Sequence, residues 1–132
     1  MASLDTDFFQ HEAGPLTIRL AGRLDGNSAP AFGRRLAEHL SATATGVVLD
    51  ASGLEFISSA GLRELMTLAK KLRQNQAKAV LAGVTPLVNE VLEISGMNPL
   101  FLHAADQTEA LRRLADNSDG PPDRLFAGGA KA

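Results

Sequence analysis

The side chains in this sequence best placed to do chemistry are two adjacent hydroxyls, Ser58 and Ser59, followed by Ala60 and Gly61. Apolar residues then recur at Leu62, Leu65, Met66, Ala69 and Leu72, the spacing of one buried helix face, while Arg63, Glu64, Lys70 and Lys71 are free to meet water. The serines therefore stand at a helix start, beside backbone N–H groups that lack intrahelical partners and at the positive end of the helix dipole. Negative charge is tolerated there. Serine is also a preferred N-cap residue, so either hydroxyl is able to serve the helix alone, but that role uses only one of the two. Gly61 has no Cβ and Ala60 adds little bulk, which would let a partner approach the first turn closely.

Nucleophilic catalysis is the first chemistry to weigh. Ser59-Ala60-Gly61 matches the last three positions of the G-x-S-x-G nucleophile elbow, with Ile57 standing where the first glycine belongs. Between Ser59 and His103 there is no aspartate, only Glu64, Glu90 and Glu93, and His103 is the one downstream base, so a Ser–acid–His triad is poorly supplied. Metal chemistry fares no better. Cysteine is absent, and His11, His39 and His103 are far apart with no HxH or HxxxH pair, so neither a metal nor a cofactor is expected. The chain reads as a binding protein, not an enzyme.

The elements that position these serines must come from a single core. With 132 residues, 45% of them hydrophobic, the chain is large enough to complete one core without disulfides and offers no second. A formal charge of -2 and the absence of a Lys/Arg cluster interleaved with aromatics argue against a nucleic-acid partner. Met1 to Gln10 has no basic n-region or apolar run, and no stretch approaches the roughly 18 apolar residues a membrane span needs, so a cytoplasmic location without membrane insertion is expected.

Leu16-Thr17-Ile18-Arg19-Leu20 alternates apolar and polar, which predicts a strand with one face on the core and the other partly bare. Gly14-Pro15 marks a turn before it, and Phe8 to Glu12 would form the first arm of a hairpin. After the turn-forming run Asp25-Gly26-Asn27-Ser28, Pro30 suits a first helical turn, and Phe32, Leu36 and Leu40 recur at helical spacing. Gly46 to Asp50 predicts a strand buried on both faces, after which the chain is expected to turn through Ala51-Ser52-Gly53 and Glu55-Phe56-Ile57 to the serines. Ala79 to Ala82 is a further strand. Thr85-Pro86 opens a third helix carrying Leu87, Val88, Val91 and Leu92, which Gly96 stops. Pro99 to His103 predicts a last strand, and Asp106 with Glu109 a capping box for a final helix through Ala110, Leu111 and Leu114. Residues 1–116 then form one domain, and the Gly-, Pro- and Asp-rich segment 117–132 a disordered tail. Repeated strand–helix units give an α/β fold class. Asp50 is as suited to a turn as to a site, and Arg34-Arg35 and Lys70-Lys71 to solvated faces.

Gly22-Arg23-Leu24-Asp25, the run Val47 to Leu62 and the pair Gly96-Met97 resemble the STAS domain family of bacterial anti-sigma factor antagonists. The resemblance spans about residues 8 to 116 in element order and implies a STAS-like single domain, a mixed four- to five-stranded sheet with about four helices. It also implies a partner, an anti-sigma factor that is itself a serine kinase, and a serine phosphatase that reverses the modification. Matched residue by residue, the family's Asp-Ser-Ser-Gly or Asp-Ser-Thr-Gly motif puts its phosphoserine on Ser59, with Ser58, the second choice, where the aspartate usually stands and Ala60 where the second hydroxyl residue stands. Asp25 matches the family's aspartate in the loop beside this helix. The partner-binding surface so implied comprises Asp25, Asn27, Ser58, Ser59, Ala60, Gly61 and Arg63. The function implied is partner switching in transcription regulation, in which the unmodified protein sequesters the anti-sigma factor and the phosphorylated protein releases it. STAS-like domains also serve as non-catalytic docking subunits of membrane transport systems or stress-sensing assemblies, and on sequence that alternative stays open beside a serine hydrolase.

Overall fold

The computed structural model describes residues 4–12, 14–40 and 45–115. Five strands, β1 (Leu4–Gln10), β2 (Leu16–Leu24), β3 (Gly46–Ile57), β4 (Lys78–Ala82) and β5 (Leu102–Ala104), alternate after the first hairpin with four α-helices, α1 (Ala29–His39), α2 (Ser59–Gln74), α3 (Pro86–Ser95) and α4 (Gln107–Ala115). The strands lie in the order β1-β2-β3-β4-β5. β1 runs antiparallel to β2, and β2 through β5 are mutually parallel, as helical crossovers require. The α/β architecture and mixed sheet expected from the sequence are present.

The sheet has two unlike faces. Leu16, Ile18 and Leu20 of β2, Val47, Leu49 and Ala51 of β3 and Leu81 of β4 share a core with Phe32 and Leu36 of α1, Leu65, Leu68 and Leu72 of α2, and Val88 and Leu92 of α3. Alternate residues Val48, Val80 and Ala82 face the other way and pack with Leu102 and with Ala110 of α4. α4 is too short to hold together alone, and polar contacts pin it at both ends. Gln107 Nε2 donates to Asp50 Oδ2 at 2.6 Å, and Lys78 Nζ donates to the Arg113 carbonyl at 3.3 Å, where a cation suits the negative end of the dipole. Toward β1 that face is open, and Arg19, exposed as its alternation predicts, pairs there with Asp7.

Several boundaries depart from the sequence reading. β1 occupies Leu4–Gln10, earlier than Phe8 to Glu12, because His11 already belongs to the turn, its N–H donating to the Pro15 carbonyl. The expected strand over Pro99 to His103 is a 3-10 turn at Asn98–Leu100 followed by a strand at Leu102–Ala104. The largest correction concerns β3: the chain does not turn after Asp50 but stays extended to Ile57. β4 pairs only with its first part, to Asp50, whereas β2 accompanies it to the end. Two register shifts along β2 absorb an extra β3 residue each, as bulges do. At the first of these sits Gly53, where a Cβ would lie 3.0 Å from the Leu20 carbonyl and 3.1 Å from the Ala21 Cβ. Segment 117–132, with its expected disorder, lies outside the described residues.

Candidate functional site

β2 and β3 end level with one another, Leu24 beside Ile57, so the loop into α1 and the start of α2 leave the sheet together. Their union joins segments remote in sequence and is sterically tight. The Ser58 N–H donates to the Leu24 carbonyl at 2.9 Å, and a Cβ on Gly61 would come within 2.7 Å of both that oxygen and Leu24 Cγ. The close approach that Gly61 permits is therefore made by the protein's own loop, and Gly61 is buried instead of open to a partner.

The loop is wired by Asp25 and Ser28. Asp25 Oδ1 accepts from the N–H groups of Asn27 at 3.0 Å and Ser28 at 3.2 Å. Ser28 does not cap α1 with its side chain; its Oγ donates to the Arg23 carbonyl at 2.8 Å and accepts from the Asp25 N–H at 2.9 Å. The Ser28 N–H, foremost, then the Asn27 N–H, the Ser28 hydroxyl and the Arg23 charge together outweigh partial burial and hold the Asp25 carboxyl below the usual carboxylate range. Arg23 Nε lies 3.6 Å from Asp25 Oδ2, and its guanidinium sits 4.2 Å from the Phe56 ring centroid. This Arg23–Phe56 stack and the role of Ser28 are features that the sequence reading missed; the D-x-N-S spacing of an Asx turn was the available signal for the loop, and the stack, a contact across β2 and β3, had none.

The two serines have different tasks. Ser58 is the N-cap of α2, in extended backbone, its Oγ accepting from the Gly61 N–H at 3.3 Å. Ser59 is the first helical residue, and its exposed hydroxyl engages none of the described residues. Asn27 and Arg63 are exposed and Ala60 half-buried on the same rim. The histidines are elsewhere: His11 with Thr17, His39 Nδ1 with the Arg35 carbonyl, and His103 Nε2 3.4 Å from the Asn98 carbonyl. Among the described residues neither serine is paired with a base, and no three metal-ligating side chains converge. Asp50 lies within β3, below the rim; burial, the largest single influence, pushes its carboxyl up, but the hydrogen bonds from Gln107 and from the Ser52 N–H and hydroxyl, helped by Arg19, together outweigh it and leave the carboxyl below the usual range. No helix among the described residues is long and apolar enough to cross a membrane.

The arrangement is thus a solvent-facing hydroxyl at a helix N-terminus, flanked by the Asp25 loop, in a chain that is similar to known proteins. BtrV of Bordetella bronchiseptica, which carries the name of an anti-sigma factor antagonist, is 41% identical over 88 residues, 67% of this chain and 76% of that protein. The crystal structure of an anti-sigma factor antagonist from Mycobacterium paratuberculosis superposes with a TM-score of 0.74 at 23% identity, over 86% of this chain and 95% of that one. The anti-sigma factor antagonist SpoIIAA, solved in an unphosphorylated form, gives 0.71 at 20% identity over 84% and 96%. Its phosphorylated form gives 0.67, also at 20%, over 83% and 99%. Residues 8–103 match the family profile described as "Mlab, STAS domain", which takes in every strand but the first residues of β1 and the end of β5 together with the whole rim, and the chain belongs to the STAS domain family.

Proposed function

We propose that this STAS domain is an anti-sigma factor antagonist: unmodified, it sequesters an anti-sigma factor that is also a serine kinase, and phosphorylation of Ser59 ends the complex. One observation carries the reading. Ser58 is occupied as the cap of α2 while the neighbouring Ser59 hydroxyl is exposed and unengaged among the described residues, so only Ser59 is presented for transfer without loss of the cap. In the transfer the Ser59 oxygen forms a bond to the γ-phosphorus of ATP, the bond from that phosphorus to the bridging oxygen breaks, ADP departs, and the hydroxyl proton passes to a base of the kinase. The group so added brings about −1.5 to −2 charge to a helix N-terminus, which accommodates anions, so the fold survives while the docking face changes sign and bulk. That SpoIIAA keeps its fold both with and without phosphate supports this part of the account. A serine phosphatase restores the hydroxyl by hydrolysis. No catalytic step belongs to this chain.

The test compares wild type, Ser59→Ala and Ser59→Asp for binding to the cognate anti-sigma factor by calorimetry, with circular dichroism to verify folding. Ser59→Asp should remain folded and bind at least about tenfold more weakly, a loss of about 1.4 kcal/mol, while Ser59→Ala binds like the parent. A folded Ser59→Asp protein that binds as tightly as wild type would refute the switch.

A further inference from the structure

The exposed ridge of α2 carries charge of one sign. Ser59, Arg63 and Lys70 fall on its outer side at helical spacing and are all exposed, with Gln74 at the far end. Lys71 and Arg73 flank them. None of these four basic side chains is ion-paired with a described residue, unlike Arg19, which pairs with Asp7, and Arg23, which pairs with Asp25. The one acid of the helix, Glu64, is turned aside toward α1, where its carboxylate occupies the space a Cβ on Gly33 would need, 2.6 to 3.0 Å away. Meanwhile the chain as a whole is negative, and α3 presents Glu90 and Glu93 with no basic residue. The ridge thus differs in sign from α3 and from the chain as a whole.

We propose that this ridge is a cationic docking surface for an acidic patch on the protein partner, running from Ser59 toward the C-terminal end of α2; the inference rests on the reading that Ser59 lies at the docking face. From residue 59 to residue 70 the helix advances about 16 Å, enough to face three turns of a partner helix. Charge complementarity selects the occupant. A protein surface with acidic side chains meets the ridge without facing the whole molecule's negative charge, whereas long polyanions meet both. The ridge carries no aromatic residue on which bases would stack, and its one large apolar residue, Met66, is half-buried, which leaves little to insert into lipid. Phosphate at Ser59 fits the same device: it stands four residues before Arg63, the favourable order for an acid–base pair on a helix, and cancels the head of the ridge.

The experiment measures association of the full chain with the anti-sigma factor recovered alongside it from its host, as salt is raised from about 0.02 to 0.15 M. The wild-type association rate should fall steeply with salt. Arg63→Glu with Lys70→Glu should slow it at least about tenfold at low salt and flatten the salt dependence, while Glu90→Lys with Glu93→Lys on α3 should not slow it. A salt-independent rate, or no effect of the ridge reversal in a folded protein, overturns the proposal. So does tighter binding to phosphatidylglycerol vesicles or to a mixed-sequence single-stranded DNA oligomer than to the protein partner. If Ser59→Asp leaves binding intact while the ridge reversal abolishes it, the ridge stands and the phosphate switch falls; loss with Ser59→Asp alone overturns the ridge and leaves the switch.

Discussion

Alanine at Gly61 would test the steric union of the rim. An added Cβ would lie 2.7 Å from the Leu24 carbonyl oxygen, 2.7 Å from Leu24 Cγ and 3.0 Å from Ile57 Cγ1. Ordinary contacts lie near 3.5 to 4.0 Å, and the carbonyl is not free to retreat because it accepts the Ser58 N–H at 2.9 Å. Overpacking of this kind costs about 1 to 3 kcal/mol, here the upper end, against about 1 kcal/mol returned by replacing glycine with alanine inside a helix. The net loss is about 2 kcal/mol, or a fall in Tm of about 6 to 10 °C for a chain of this size. Gly33 in α1 provides the contrast: its added Cβ meets only the flexible end of Glu64, so Gly33→Ala should be neutral or stabilising by up to about 1 kcal/mol. Urea unfolding followed by circular dichroism reads both as midpoint shifts at constant slope. A Gly61→Ala midpoint equal to or above that of Gly33→Ala would refute the reasoning.

The division of labour between the serines predicts that Ser58→Ala loses about 1 kcal/mol with the cap, whereas Ser59→Ala stays within about 0.5 kcal/mol of wild type; the opposite order in unfolding midpoints would contradict the assignment. Asp50 predicts a pH effect. Its folded pKa lies below the unfolded value of about 3.9, so its contribution is complete above about pH 4 and is lost as pH falls through the lowered folded value. Asp50→Asn should therefore flatten the decline of the unfolding midpoint below about pH 4, and an unchanged acid limb would show that the Gln107 and Ser52 hydrogen bonds do not hold the carboxylate.

What was legible in the sequence was what neighbouring residues decide among themselves. Thr85 accepts from the Val88 N–H, Pro86 opens α3, and Gly96 stops it at φ 77°, all as their spacing predicts. Asp106 likewise accepts from the Glu109 N–H at 2.9 Å. The second half of β3 was not legible, because Ser52, Gly53 and Glu55 have the composition of a turn, and the segment is held extended by the pairing of Gly53, Leu54, Phe56 and Ile57 with β2, a partner remote in sequence. The purpose of Gly61 was hidden for the same reason: nothing near it announces Leu24. At the serines, helix spacing left two equivalent hydroxyls. Which of them caps α2 is set by where the first helical turn closes, and tertiary contact between Ser58 and Leu24 fixes that point.

The central claim, a docking face switched by phosphate on Ser59, is tested most directly by incubating the complex with ATP and following both its dissociation and the site of modification by peptide mass spectrometry. One phosphate, on Ser59, should be gained in step with release of the anti-sigma factor. Phosphate on Ser58 alone, or a Ser59-phosphorylated protein that stays bound, would contradict it.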